Sequence, residues 1–291
     1  MNIQWYPGHM TKTRRQMEED VKFVDMVAEV VDARIPVSSR NPDIDSMVAD
    51  RPRMMIFNRA DQADPQQTAR WLADFRSRGY AVLETDAKTG RGVGQFSSVV
   101  KAALKDKIEG WRAKGQVGRP VRVMVVGVPN VGKSTLINKI SKKKSAKAGD
   151  RPGVTRGKQW VRVDSGLELL DTPGILWPKF EDETTGLHLA FTGAVKDEVM
   201  DSEALAAALM DLLRDRYPKA LAERYRMEVD RDAPGWKLLE RAGRKRGMLV
   251  SGGEVDTERM AKVLLDEFRA GKLGRFTLEV PEGTEQPTAS E

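Results

Sequence analysis

Cysteine is absent from all 291 positions, so neither a disulfide framework nor a thiolate metal site can form. Nothing points to an oxidising compartment, and the cytoplasm is the expected setting. Long apolar runs are missing as well. Nowhere do about 18 apolar residues follow one another, and the opening Met1-Asn2-Ile3-Gln4-Trp5-Tyr6-Pro7-Gly8-His9 lacks the basic-then-apolar order of a leader. Secretion and membrane spanning are therefore not expected. Histidine is scarce: His9 and His188 are the only two groups whose ordinary titration lies near neutrality. What is present, 40% hydrophobic and 32% charged residues, suffices for packed cores, and the length predicts two domains. The net charge of +6 favours polyanions without saying whether the anion is a nucleotide or a nucleic acid.

Apolar runs at Met26–Val31, Arg53–Phe57, Ala81–Leu83 and Val121–Val126 end in polar residues and alternate with helical stretches at Pro65–Arg78 and Gly94–Lys114. Such alternation predicts an α/β fold, a parallel sheet wrapped by helices. Beyond Gly174 the strand pattern stops. Ser202–Tyr217, Trp236–Ala242 and Thr257–Ala270 carry helical spacing, which predicts a smaller all-helical domain. The expected divisions are 1–178, 179–281 and a polar tail at 282–291.

The run Gly127-Val128-Pro129-Asn130-Val131-Gly132-Lys133-Ser134 follows a strand and opens a helix, the full context of a phosphate loop. Its glycines let the amides from Asn130 through Val131, Gly132, Lys133 and Ser134 to Thr135 turn toward phosphate. Lys133 brings a point charge to the β- and γ-phosphates, making it a binding and a catalytic candidate. Ser134 offers a hydroxyl to Mg²⁺. Downstream, Leu167–Leu170 delivers Asp171-Thr172-Pro173-Gly174, where Asp171 serves the Mg²⁺ shell and the Gly174 amide senses a γ-phosphate. Thr155, lying between these elements, is a further Mg²⁺ ligand candidate.

Guanine recognition needs a carboxylate for N1–H and the exocyclic amine, with an amide side chain near the other edge. Asn58-Arg59-Ala60-Asp61 supplies both directly after a strand. Asp86-Ala87-Lys88 follows the next strand, with the Ala87 amide set for the base O6. Either tetrapeptide alone also reads as an ordinary strand-end turn.

Together these elements resemble the five signatures of translation-factor-like GTPases, in the order fourth, fifth, first, second, third: a circularly permuted P-loop GTPase. With Asp32-Ala33-Arg34 ahead of Asn58, and Trp5-Tyr6-Pro7-Gly8-His9-Met10 at the start, the chain resembles the ribosome biogenesis GTPase A family from residue 5 to about 280. The resemblance implies GTP hydrolysis, Mg²⁺, and binding to the large ribosomal subunit precursor and its rRNA, with neither membrane nor DNA as partner. The chain departs from the family where Arg59 replaces the usual Lys; its planar head can still stack on guanine. Ile175 stands where Ras-like enzymes have the water-orienting Gln.

Another group must then position water. His9 is the first choice, against the plainer reading that it caps a helix starting near Thr11. Asn130 resembles the residue that binds K⁺ in potassium-stimulated GTPases, or it simply satisfies its own backbone. In the helical domain Arg241-Ala242-Gly243-Arg244-Lys245-Arg246, joined by Lys262, Arg269, Lys272 and Arg275, forms a basic cluster suited to a phosphate backbone. Lys12, Arg14, Arg15, Lys142–Lys144 and Lys147 extend that expectation. Nearby carboxylates such as Glu240 and Glu258 favour a merely solvated face. A GTPase switch with a different client, or a nucleotide-gated RNA-binding module without turnover, stays open.

Overall fold

Strand β1 (Met26–Asp32) is buried at every position, and β2 (Arg53–Asn58) at all but its first, because helices cover both faces of the sheet they build. With β3 (Ala81–Glu84), β4 (Val121–Val126), β5 (Gln159–Asp164) and β6 (Leu167–Asp171) they form one six-stranded sheet of order β3-β2-β1-β4-β6-β5. All neighbours are parallel except the edge pair β5–β6, which is antiparallel with a register shift between Arg162 and Asp164. The computed structural model describes residues 9–48, 51–141, 159–164, 166–177, 182–195 and 200–281, with backbone alone for 9–11 and 159. Thr155, Lys142–Lys144, Lys147 and the 282–291 tail lie outside the described residues.

Helix α1 (His9–Asp20) and a short helix α2 (Asp43–Met47) lie on one side of β1 and β4, where Met17, Val24, Ile44, Met124 and Leu170 share a core. Helix α3 (Pro65–Ser77) starts where Asp64 accepts from the amides of Gln66 (2.8 Å) and Gln67 (3.1 Å), a side-chain cap backed by proline in the first turn. It lays Trp71, Leu72 and Phe75 against Val31, Met55 and Phe57. The stretch expected as one helix, Gly94–Lys114, is two: α4 (Phe96–Ala103) and α5 (Lys105–Ala113), broken at Leu104, which buries its side chain. Helix α6 (Lys133–Ile140) follows the phosphate loop.

One charge sits inside this sheet. Glu29, in the middle of β1, is fully buried, and burial pushes its carboxyl above the ordinary range although Arg40 (3.4 Å) and Arg53 (2.5 Å) oppose that. Such a carboxylate is tolerated only with partners of this kind.

Residues 4–180 and 181–291, the latter with residues 1–3, form two compact units; the expected boundary fell between 178 and 179. The second unit consists of α7 (Glu183–Phe191), α8 (Ser202–Arg216), α9 (Pro218–Tyr225), α10 (Gly235–Lys245) and α11 (Thr257–Arg269). Leu205, Leu209, Leu238, Met260, Leu264 and Phe268 are among its buried residues.

Candidate nucleotide site

The parallel strands deliver their carboxyl ends to one edge of the sheet, and the residues expected to bind nucleotide gather there. Asn58 ends β2, Asp86 and Ala87 follow β3, Gly127 follows β4 and Asp171 ends β6. In a sheet of this kind the crevice beyond the carboxyl ends is the ligand position.

Asn58 joins three of these segments. Its Nδ2 donates to the Val131 carbonyl (2.8 Å), and its Oδ1 accepts from the Ala87 amide (3.0 Å) and the Thr85 hydroxyl (3.2 Å). Gly132, at φ 99°, passes so close that a Cβ there would meet Asn58 Nδ2 at 2.4 Å. Glycine is therefore required both for the backbone angle and for the contact. The Ala87 amide, set by the sequence for a base oxygen, is spent on Asn58 here. Asp86 turns its own loop by accepting from the Thr89 hydroxyl and from the amides of Thr89 (3.2 Å) and Lys88 (2.9 Å), which together hold its carboxyl below the ordinary range against burial. Lys88 is exposed. Asp61 is exposed in the turn after β2 with no side-chain partner among the described residues, so its carboxylate is available to a ligand.

Arg59 spans the gap between base loop and phosphate loop. It adopts φ 58°, and its guanidinium donates to the carbonyl of Asn130 (2.8 Å), itself at φ 58°. Behind it, Asp32 lies 3.8 Å from Arg59 Nε and holds Arg34 through 2.9 and 2.8 Å bonds. Arg34 is 1% exposed; with its charge paired, the Asp32 carboxyl stays below its ordinary range despite burial. The sequence placed Asp32 and Arg34 only in a family resemblance. An acid ending a strand with an Arg two residues on was the available signal for this brace.

Lys133 is 7% exposed, and its Nζ donates to the carbonyls of Gly127 (3.0 Å) and Val128 (2.9 Å). Burial pushes its pKa down to about 8, against the pull of Asp171. Asp171 is raised by the same cause, burial, and its Oδ1 is buried without a hydrogen-bond partner. Gly174 lies against this pair: a Cβ there would meet Lys133 Nζ and the Pro129 backbone at 2.9 Å. Thr172 donates its hydroxyl to the Val125 carbonyl (2.7 Å), tying the segment to β4. Ile175 is 3% exposed and packs with Met17, Ile44 and Leu170. Ser134 and Thr135 open α6 within reach of solvent. Thr155 lies outside the described residues, as does the His9 side chain; the His9 backbone begins α1.

The basic cluster of the helical unit divides. Arg244 pairs with Glu240 one turn away (2.9 Å) and stays at the surface, as does Lys245. Arg246, itself exposed, donates its guanidinium to the buried Glu267 (2.8 Å) beside Arg224 and the Tyr225 hydroxyl. Arg269 donates to the carbonyls of Ala190 and Phe191. His188 is buried with Nδ1 3.0 Å from Glu279.

A phosphate loop on β4 and a metal-type acid on β6 that both come after the base loops of β2 and β3 define the class: a circularly permuted P-loop GTPase. Known proteins agree. The family profile described as 50S ribosome-binding GTPase matches residues 122–229, beginning at β4 where the motif order becomes the ordinary one. Ribosome biogenesis GTPase A of Priestia megaterium is 48% identical over 99% of this chain and all of that protein. Mitochondrial ribosome-associated GTPase 1 of Mus musculus is 33% identical over 94% of this chain and 89% of its own. GNP-bound YlqF from T. maritima superimposes with a TM-score of 0.64 at 29% identity, over 93% of this chain and 99% of that one. The chain belongs to the ribosome biogenesis GTPase A family, and it is a GTPase.

Proposed function

We propose that this GTPase binds GTP as an assembly factor on the large ribosomal subunit precursor, contacts its rRNA, hydrolyses slowly alone and faster on the particle, and departs once the γ-phosphate is lost. The observation that carries the site reading is the buried, unpartnered Asp171 Oδ1 beside the Lys133 amine. A buried carboxylate oxygen without a donor fits a cation. Asp171 with Ser134, and Thr155 from outside the described residues, would hold Mg²⁺, which supplies charge neutralisation for the β- and γ-phosphates.

The chain's own groups do the rest. Lys133 leaves the loop carbonyls for phosphate, the amides from Asn130 to Thr135 cradle it, and Gly174 reports the γ-phosphate by its closeness to Lys133. Asn58 holds the base loops, Asp61 reads the guanine edge, Arg59 stacks on it, and Asp86, Ala87 and Lys88 close the base side. Asn130 is our candidate K⁺ ligand. Ile175, packed in the core, takes no part in ordering water, so His9 is placed in that role. Water oxygen attacks the γ-phosphorus as the bond to the β-phosphate oxygen breaks, giving GDP and phosphate.

Phosphate release measured with and without large-subunit precursor particles, in K⁺ and in Na⁺, tests this. Particle stimulation is expected; no stimulation under any condition rejects the assembly-factor reading. His9→Ala is expected to lower the stimulated rate about a hundredfold while nucleotide affinity stays. An unchanged rate removes His9 from the chemistry.

A further inference from the structure

Two aromatic side chains are exposed beside the β5 edge of the sheet. Phe23, closing the short 3-10 turn Val21–Phe23 after α1, is 56% exposed, and Trp160 on the edge strand β5 is 38% exposed. They line a cavity of about 190 Å³ whose remaining walls are Asp20, Arg122 and Leu170. The register explains the grouping. Arg122 lies across from Glu168 and Arg162, and Met124 across from Leu170 and Trp160, so Arg122, Arg162 and Trp160 rise from the same face. Exposed apolar groups gathered in this way mark a contact surface more often than isolated ones do.

The chemistry of the surroundings selects the partner. The Arg122 guanidinium stacks on Trp160 with 4.9 Å to the ring centroid, extending the flat surface, while its Nε donates to Glu168 (3.1 Å). Lys22 and Arg162 are exposed and, among the described residues, have no side-chain partner. Farther along, Trp111 carries Arg119 at 4.2 Å and Lys107 at 5.5 Å, and both cations reach toward Asp25. The carboxylate in the cavity, Asp20, is 5% exposed and accepts from Gln16 (3.1 Å), and Glu168 on the same face is held by Arg122, so both are tied to partners. Aromatic planes flanked by unpaired cations suit unstacked bases joined by phosphates; a purely apolar peptide would leave the cations without partners.

We infer that this face, with Phe23 and Trp160 at its centre, binds single-stranded RNA by stacking an unpaired base in the cavity, with phosphates on Lys22 and Arg162. The inference rests on the proposed work on an RNA-rich particle and adds a contact on the GTPase unit, separate from the basic cluster of the helical unit.

The test uses the full chain, without nucleotide or particle, and the anisotropy of fluorescein-labelled oligoadenylate against a blunt RNA duplex of equal length. Phe23→Ala with Trp160→Ala is expected to weaken oligoadenylate binding about tenfold or more and duplex binding little, since stacking is lost and charge is kept. Trp160→Phe should restore most of the loss. Lys22→Glu with Arg162→Glu should weaken both probes and flatten the salt dependence, and it carries the test if the aromatic variant misfolds. Single-strand affinity within about twofold of the parent in a folded variant overturns the inference. So does an equal loss for both probes in the aromatic variant, which would leave charge alone as the source of binding. Because neither GTP nor particle is present, failure here leaves the GTPase reading intact, and a particle that fails to stimulate hydrolysis leaves this binding result intact.

Discussion

A lysine amine buried to 7% exposure beside a carboxylate has two pH signatures of opposite sense. With the Lys133 pKa at about 8 and the ordinary value at 10.5, the unfolded chain holds this proton more tightly than the folded one. Stability of the nucleotide-free protein from this group therefore rises with pH between these values and is lowest below them. Nucleotide affinity runs the other way, because phosphate needs the ammonium. If binding restores the proton, affinity should fall about fourfold between pH 7 and about 8.5 as the free site deprotonates. Isothermal titration in buffers of different ionisation enthalpy should show proton uptake at the upper end. A flat affinity across that range would mean that Lys133 is already fully charged in the free site.

At the scale of the element, α10 shows how a helix sorts residues that look alike in sequence. Arg244, paired with Glu240 one turn away, and Lys245 lie at the surface where a phosphate backbone can reach them, while Arg246, one residue past the helix, neutralises Glu267. Arg244→Glu with Lys245→Glu is expected to reduce the salt dependence of RNA binding and leave the melting temperature near that of the parent. Arg246→Glu sets a second carboxylate against one that Arg224 and Tyr225 already share, and should cost about 2 kcal/mol in denaturant unfolding. Equal stability for both variants would contradict the assignment. Legibility followed the same line. Strands β1, β2, β3, β4 and β6 were readable because burial leaves their runs mostly apolar, and the phosphate loop because its glycines stand at fixed offsets. Strand β5, Gln-Trp-Val-Arg-Val-Asp, carries no such signal: an edge strand needs few apolar residues, and among its described side chains Val161 alone is buried below a tenth. The break at Leu104 was hidden because both halves keep helical spacing. Asp32 with Arg34, and Arg246 with Glu267, depend on side chains meeting across the fold, which spacing along the chain does not encode.

For the whole molecule, permutation alters what the chain does after the switch. The segment carrying Gly174 runs on toward α7 at Glu183 instead of back into the sheet, so the residues nearest Lys133 are covalently close to the helical unit. Loss of a γ-phosphate contact there can bias that unit only if the two nucleotide states differ in free energy of interaction along this connection. The tryptophans are placed to report it. Trp177, 8% exposed, follows Gly174 by three residues, and Trp236, 55% exposed at the start of α10, is the only tryptophan after residue 180. In protein labelled with 5-fluorotryptophan, the fluorine resonance of Trp177 should move between GDP and a non-hydrolysable GTP analogue because it lies next to the switch. Trp236 should move as well, its line identified through Trp236→Phe. Gly174→Ala, which forces a Cβ against Lys133 and Pro129, should leave both lines in one position with either nucleotide. If Trp177 responds and Trp236 does not, the γ-phosphate signal ends inside residues 4–180, and the proposed departure from the particle would then rest on contacts of the GTPase unit alone.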